Sequence, residues 1–105
     1  MSIYYPDCWV VLKLSQGYKV LAGWSGGYLD GDSWRMNSGI THVEEKDDRF
    51  TFYGVTGSLY VCYKGLYGLR MSNVGVYNAL KEKYPDKVFL MPEDTDWMKM
   101  KWEIK

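Results

Sequence analysis

The chain is poor in the residues that usually announce chemistry. It holds one histidine and two cysteines in 105 residues. Cys8 and Cys62 stand far apart, with no CxxC and no histidine beside either, so the spacing of a zinc site or a redox motif is missing. Two buried thiols in a reducing compartment are the expectation, rather than a disulfide. No metal and no other cofactor is expected. His42 lies in Thr41-His42-Val43-Glu44, where strand alternation makes it a solvated side chain. A trio of Ser58, His42 and a carboxylate can be written down, yet no GxSxG elbow accompanies it, and no catalytic residue is assigned. Gly26-Gly27 precedes no Lys-Ser/Thr pair and opens no helix, which excludes a phosphate loop. Asp30-Gly31-Asp32 begins like a calcium loop, but Ser33-Trp34-Arg35 supplies no further ligands, so these aspartates are expected in turns.

An excess of charge of either sign is also missing. Thirteen basic and thirteen acidic side chains cancel, so the chain as a whole lacks the positive field that draws proteins to phosphate backbones. Glu44, Glu45, Asp47 and Asp48 are interleaved with Lys46 and Arg49, the pattern of a soluble hairpin tip rather than a cation site. There is no long hydrophobic run. The N-terminal MSIYYPDCWVVLKL has no basic n-region, and its apolar stretch is too short and interrupted for a signal peptide or membrane span. The expected setting is cytoplasmic, with no membrane partner. No repeat or linker divides the chain, so residues 1–105 are read as a single domain.

What the sequence does have is aromatic: ten Tyr, five Trp and three Phe. Val10, Leu12 and Leu14 alternate with Trp9, Val11 and Lys13, which predicts a strand over 8–14. Ser15-Gln16-Gly17 supplies a turn, and a second strand over 18–24 completes a hairpin. Further strands are predicted over 33–36, 40–45, 49–53, 59–63 and 88–91. Val76, Tyr77, Leu80 and Tyr84 recur at helical spacing, with Ser72 or Asn73 as N-cap and Pro85 as stop, predicting a helix over 73–84. Gly75 in its first turn implies a packing reason or a frayed start. Met98, Met100, Trp102 and Ile104 alternate with Trp97, Lys99, Lys101 and Glu103, predicting a last strand that buries the first set. The fold expected is mainly β: a small, strongly bent antiparallel barrel, Sm-like or SH3-like, of roughly five to seven strands with one helix near 73–84.

The segment from Tyr28 to Asn37 joins flexible backbone to two large rings, a guanidinium and an amide, a mixture suited to stacking bases or docking a partner strand. Tyr28, Trp34, Arg35 and Asn37 are the candidate ligand-binding residues. The competing expectation is a twisted strand whose rings complete the core, and Trp34 is expected there.

The run Val10-Val11-Leu12-Lys13-Leu14-Ser15-Gln16-Gly17, followed by Gly23 and Asp30, is similar to the first motif of the Sm-like family. Tyr53-Gly54 with Leu59 and Val61 is similar to its second. The resemblance implies a barrel that forms rings and binds single-stranded RNA near subunit interfaces. The chain departs from the family in placing Ser33-Trp34 where Met-Asn belongs, with Met36-Asn37 coming later, and in having its helix after the barrel strands. Trp24-Ser25-Gly26-Gly27-Tyr28 and Thr56-Gly57-Ser58-Leu59-Tyr60 also resemble small proteins of tailed phages, which implies a host cytoplasm. Because edge strands and surplus aromatics need covering, the functional expectation is a non-enzymatic binding or assembly module forming a homo-oligomer. A binder of RNA or single-stranded DNA is the alternative, and a small enzyme with an unrecognised site stands third.

Overall fold

A computed structural model describes residues 2–25 and 33–102. In chain order its elements are β1 Ile3–Tyr4, β2 Cys8–Leu14, β3 Gly17–Trp24, β4 Ser33–Met36, β5 Ile40–Lys46, β6 Arg49–Gly54, β7 Leu59–Tyr63, helix α1 Val74–Lys83 and β8 Phe89–Leu90, with short 3₁₀ turns at Lys64–Leu66 and Trp97–Lys99. The strands form two four-stranded sheets, ordered β1-β7-β6-β5 and β4-β3-β2-β8. The fold is mainly β with one helix, as the patterns predict. Among the described residues the ladders do not close into a ring. The strand number exceeds the expected range through β1 and β8, which are only two residues long.

Strand β2 carries apolar side chains in both phases, and both are buried. Trp9 and Val11 join Val20, Ala22, Phe52, Tyr60, Cys62 and Trp97 in a core shared by the two sheets. Val10 and Leu12 join Leu21 and Val88 on the opposite face, where Val76, Tyr77 and Leu80 of α1 cover them. The β2–β3 register pairs Trp9 with Ala22 and Val10 with Leu21, so each face keeps one environment. Burying an aliphatic or aromatic side chain contributes about 1.5–3 kcal/mol. A strand used on both faces gains that contribution at successive positions, as β2 does from Cys8 to Leu12 and β3 from Val20 to Ala22, and these two strands form the middle layer.

Parity breaks once. Ile40 and Val43 are both buried although they stand an odd three positions apart along β5. A β-bulge between Ile40 and His42 inserts the extra residue that brings both to the same face.

The helix begins and ends where the sequence signals place it, with different chemistry. Asn73 has no side-chain cap hydrogen bond to the first turn. Fully buried, it accepts from the Arg70 amide at 2.7 Å and donates to the Leu21 carbonyl at 3.4 Å, tying the pre-helix loop to β3. A β-carbon at Gly75 would meet nothing within 4 Å, so no packing requirement explains that glycine.

The terminal segment corrects the predicted last strand. Trp97–Lys99 is a 3₁₀ turn, with the Lys99 amide donating to the Asp96 carbonyl at 3.1 Å. The expected phase fails at its start, where Trp97 is 2% exposed and Met98 49%. Met100 and Trp102 are half-buried against the shared core, while Ile104 lies outside the described residues. No helix among the described residues is long and apolar enough to cross a membrane.

Candidate functional site

Strand β4 lies at the edge of its sheet and pairs only with β3 among the described residues. Alternation along it separates the residues that the sequence groups together. Trp34 pairs with Gly23 and Arg35 with Ala22, so their side chains leave opposite faces of the sheet. Trp34 is 53% exposed, which overturns its expected place in the core. Arg35 lies on the face shared with the other sheet, its guanidinium 4.7 Å from the centre of the Tyr4 ring. Asn37 is buried. Its Oδ1 accepts from the Val20 amide at 2.9 Å, replacing a ladder bond just past the end of β4, and its Nδ2 has no partner among the described residues. Tyr28 lies outside the described residues, as do Gly26, Gly27, Asp30 and Asp32.

The structure gathers a different set around Arg35. The short β1 runs parallel to β7, with Tyr4 opposite Tyr60, and this brings the N-terminal aromatics to the rim between the two sheets. Tyr4 packs on Tyr60 with ring centres 4.9 Å apart and meets Trp24 edge-on at 6.1 Å. The Trp24 indole donates to the Tyr5 carbonyl at 3.0 Å, and the exposed Tyr5 ring extends the patch outward. Asp7 closes its lower end, donating its amide to Gly23 and accepting from the Ser25 amide at 2.8 Å.

Burial pushes the Tyr60 phenol up to about 12, against the nearby Arg35 charge, which pulls the other way. The group therefore stays protonated at neutral pH, where it is neither a base nor a nucleophile. What the rim offers is recognition: flat rings, and a guanidinium held by an aromatic face that can still donate hydrogen bonds outward.

The other sequence candidates remain scattered. The His42 side chain is 60% exposed, its ring against Tyr53 and its Nε2 3.8 Å from Glu44. Glu44 accepts from the Tyr53 hydroxyl, Glu45 pairs with Lys64, and Asp48 lies 3.6 Å from Arg49, so these carboxylates are engaged separately and do not converge. Cys8 and Cys62 are free buried thiols, and burial pushes the Cys62 thiol well up. Tyr4 and Tyr5 escaped sequence reasoning because a two-residue parallel strand leaves no periodic trace, and Trp24, placed correctly at the end of a predicted strand, gave no sign of its neighbours. The Tyr4-Tyr5 pair before Pro6 was the available signal.

No protein-family model, curated protein or solved structure matches this chain.

Proposed function

We propose that this chain is a non-enzymatic binding module that assembles with further copies of itself through the β4 edge and the adjoining aromatic rim. The observation that carries the reading is Trp34, a large ring 53% exposed on an edge strand whose outer side has no partner strand among the described residues. Unpaired strand edges invite a further strand, and Trp, Tyr and Arg are the residue types that carry most binding energy at protein interfaces. Arg35, Tyr4, Tyr5 and Trp24 supply them beside the edge. The finer reading of the fold belongs to the same proposal. The two sheets form a small bent barrel of the SH3-like or Sm-like kind, supported by the single aromatic core to which both contribute. The free, buried thiols fit a reducing cytoplasm.

Light scattering on the purified chain tests this. We expect a mass at least twice that of the 12.3 kDa monomer, falling to the monomer in Trp34→Ser with the melting temperature retained. A wild-type chain that stays monomeric as concentration rises would reject self-assembly. The exposed Trp34 ring also favours a second reading, stacking of single-stranded nucleic acid, but Arg35 leaves the opposite face of β4 and cannot join that ring on one strand. Fluorescence titration with a short RNA at low salt separates the two: saturable quenching by RNA in a monomeric chain would favour the second.

A further inference from the structure

The apolar face of β2 that α1 covers is longer than its cover. The helix ends at Lys83, whereas the β2–β3 hairpin runs on to Leu14 and Gly17. A groove of about 350 Å³ opens where the cover stops, with Leu14, Met36 and Val88 in it and Leu80 and Tyr84 of the helix end along one side. Two lysines also line it. Lys19 pairs with Leu12 across the hairpin, so its stem emerges on this apolar face, and Lys87 approaches from the segment after the helix. No acidic side chain among the described residues lines the groove. Among the described residues neither lysine forms an ion pair. The carbonyls that follow the helix, which would repel an anion, are already engaged: Lys81 Nζ donates to Pro85 at 3.0 Å and to Val88 at 2.7 Å.

We infer that this groove binds a small carboxylate carried on an aliphatic tail, the tail on Leu14, Met36 and Leu80 and the head between Lys19 and Lys87. The volume lies at the lower end of small-ligand sites, which suits a chain of several carbons rather than a fused ring system. An apolar floor with cations at its mouth is matched by an amphipathic anion and mismatched by a neutral or cationic one. The groove reaches β4 only at Met36 and includes neither Trp34 nor Arg35, so the inference rests on its own lining and not on self-association.

The experiment is a methyl-detected NMR titration of the full chain with sodium octanoate, repeated with 1-octanol. We expect saturable shifts at the methyl groups of Leu14, Met36, Leu80 and Val88. Octanol should bind at least about fivefold more weakly, and Lys19→Gln and Lys87→Gln should each weaken octanoate by about twofold to fivefold, the range of an exposed ion pair. Octanoate binding to the unaltered chain should also weaken as salt is raised, which decides the matter even if a lysine variant folds poorly. Absent or unsaturable shifts, shifts confined to another surface, octanol binding as tightly as octanoate, or indifference to salt would each overturn the inference.

Discussion

Ser72 occupies the space that a side chain at Gly23 would need: a β-carbon built on Gly23 would stand 2.1 Å from the Ser72 hydroxyl oxygen and 2.9 Å from Cys8 Sγ. The pre-helix loop is therefore seated directly on the β2–β3 ladder, where the Ser72 hydroxyl also lies 3.5 Å from the Cys8 thiol. Gly23→Ala should cost roughly 1–3 kcal/mol, the usual cost of overpacking a filled site. Because the nearer obstruction is the Ser72 side chain, adding Ser72→Gly should return part of that loss, the rest being the contact with Cys8 Sγ. Urea unfolding of the two single variants and the pair would show it. A Gly23→Ala protein as stable as the parent would mean the loop sits elsewhere.

The terminal turn gives a test of phase. Trp97 packs among Trp9, Phe52, Tyr67 and Trp102, with ring centres about 6 Å apart, while Met98 points to solvent. Trp97→Ala should cost about 3–5 kcal/mol and Met98→Ala within about 0.5 kcal/mol. Truncation after Asp96 removes Trp97, Met100 and Trp102 together, and should abolish the cooperative thermal transition. A larger loss at Met98 than at Trp97 would restore the strand phase that alternation suggests.

These cases also show what the sequence could reveal. The hairpin of β2 and β3, the boundaries of β4 and the span of α1 follow from alternation, turn residues and capping signals, because each of those elements has neighbours of its own. The terminal segment does not, since Met98, Met100 and Trp102 alternating with Lys99 and Lys101 read as one apolar strand face, while the residue that fills the core is Trp97 in the otherwise charged phase. In β2 the pattern gave the strand but not its setting: Lys13 is the only charged residue, and a strand between a sheet and a helix needs none. The candidate site failed for a geometric reason. Neighbours in a strand point apart, so Trp34 and Arg35 were legible as recognition types but not as residues of opposite faces, and the exposure of Trp34 was not legible at all. The partner of Arg35 is Tyr4, some thirty positions away in a strand with no pattern of its own.

The β5–β6 hairpin offers a stabilising change. Lys46 pairs with Arg49, leaving Asp47-Asp48 as a two-residue loop, and Asp47 has φ 54°. That conformation suits glycine, while a residue with a β-carbon carries part of the left-handed cost of about 1–2 kcal/mol. Asp47→Gly should raise stability by about 0.5–1 kcal/mol, and Asp47→Val should lower it. Thermal melts of the two variants should bracket the parent. A glycine variant that melts below the parent would show that the aspartate side chain holds the turn.

The last prediction concerns alkaline pH. The Tyr67 hydroxyl accepts from the Val11 amide at 3.3 Å and donates to the Met91 carbonyl, joining β2 to the segment after β8. Burial pushes its pKa up from 10 to about 12, a rise that the Val11 bond only partly opposes. Tyr60 is raised to about 12 as well, chiefly by burial. Between those limits the folded chain keeps protons that the unfolded chain has lost, so the slope of unfolding free energy against pH is negative. The contribution is complete below pH 10 and declines as pH rises from 10 to 12. Lysine deprotonation falls in the same range, so the informative quantity is a difference between proteins. Tyr67→Phe should lose about 1–3 kcal/mol at pH 7, where the Val11 amide is left without its acceptor, and its stability should then fall less steeply above pH 10 than the parent's. Urea midpoints measured at neutral pH and through the alkaline range would check both parts. Parallel curves for parent and variant would mean that the Tyr67 phenol titrates as freely in the folded protein as in the unfolded chain.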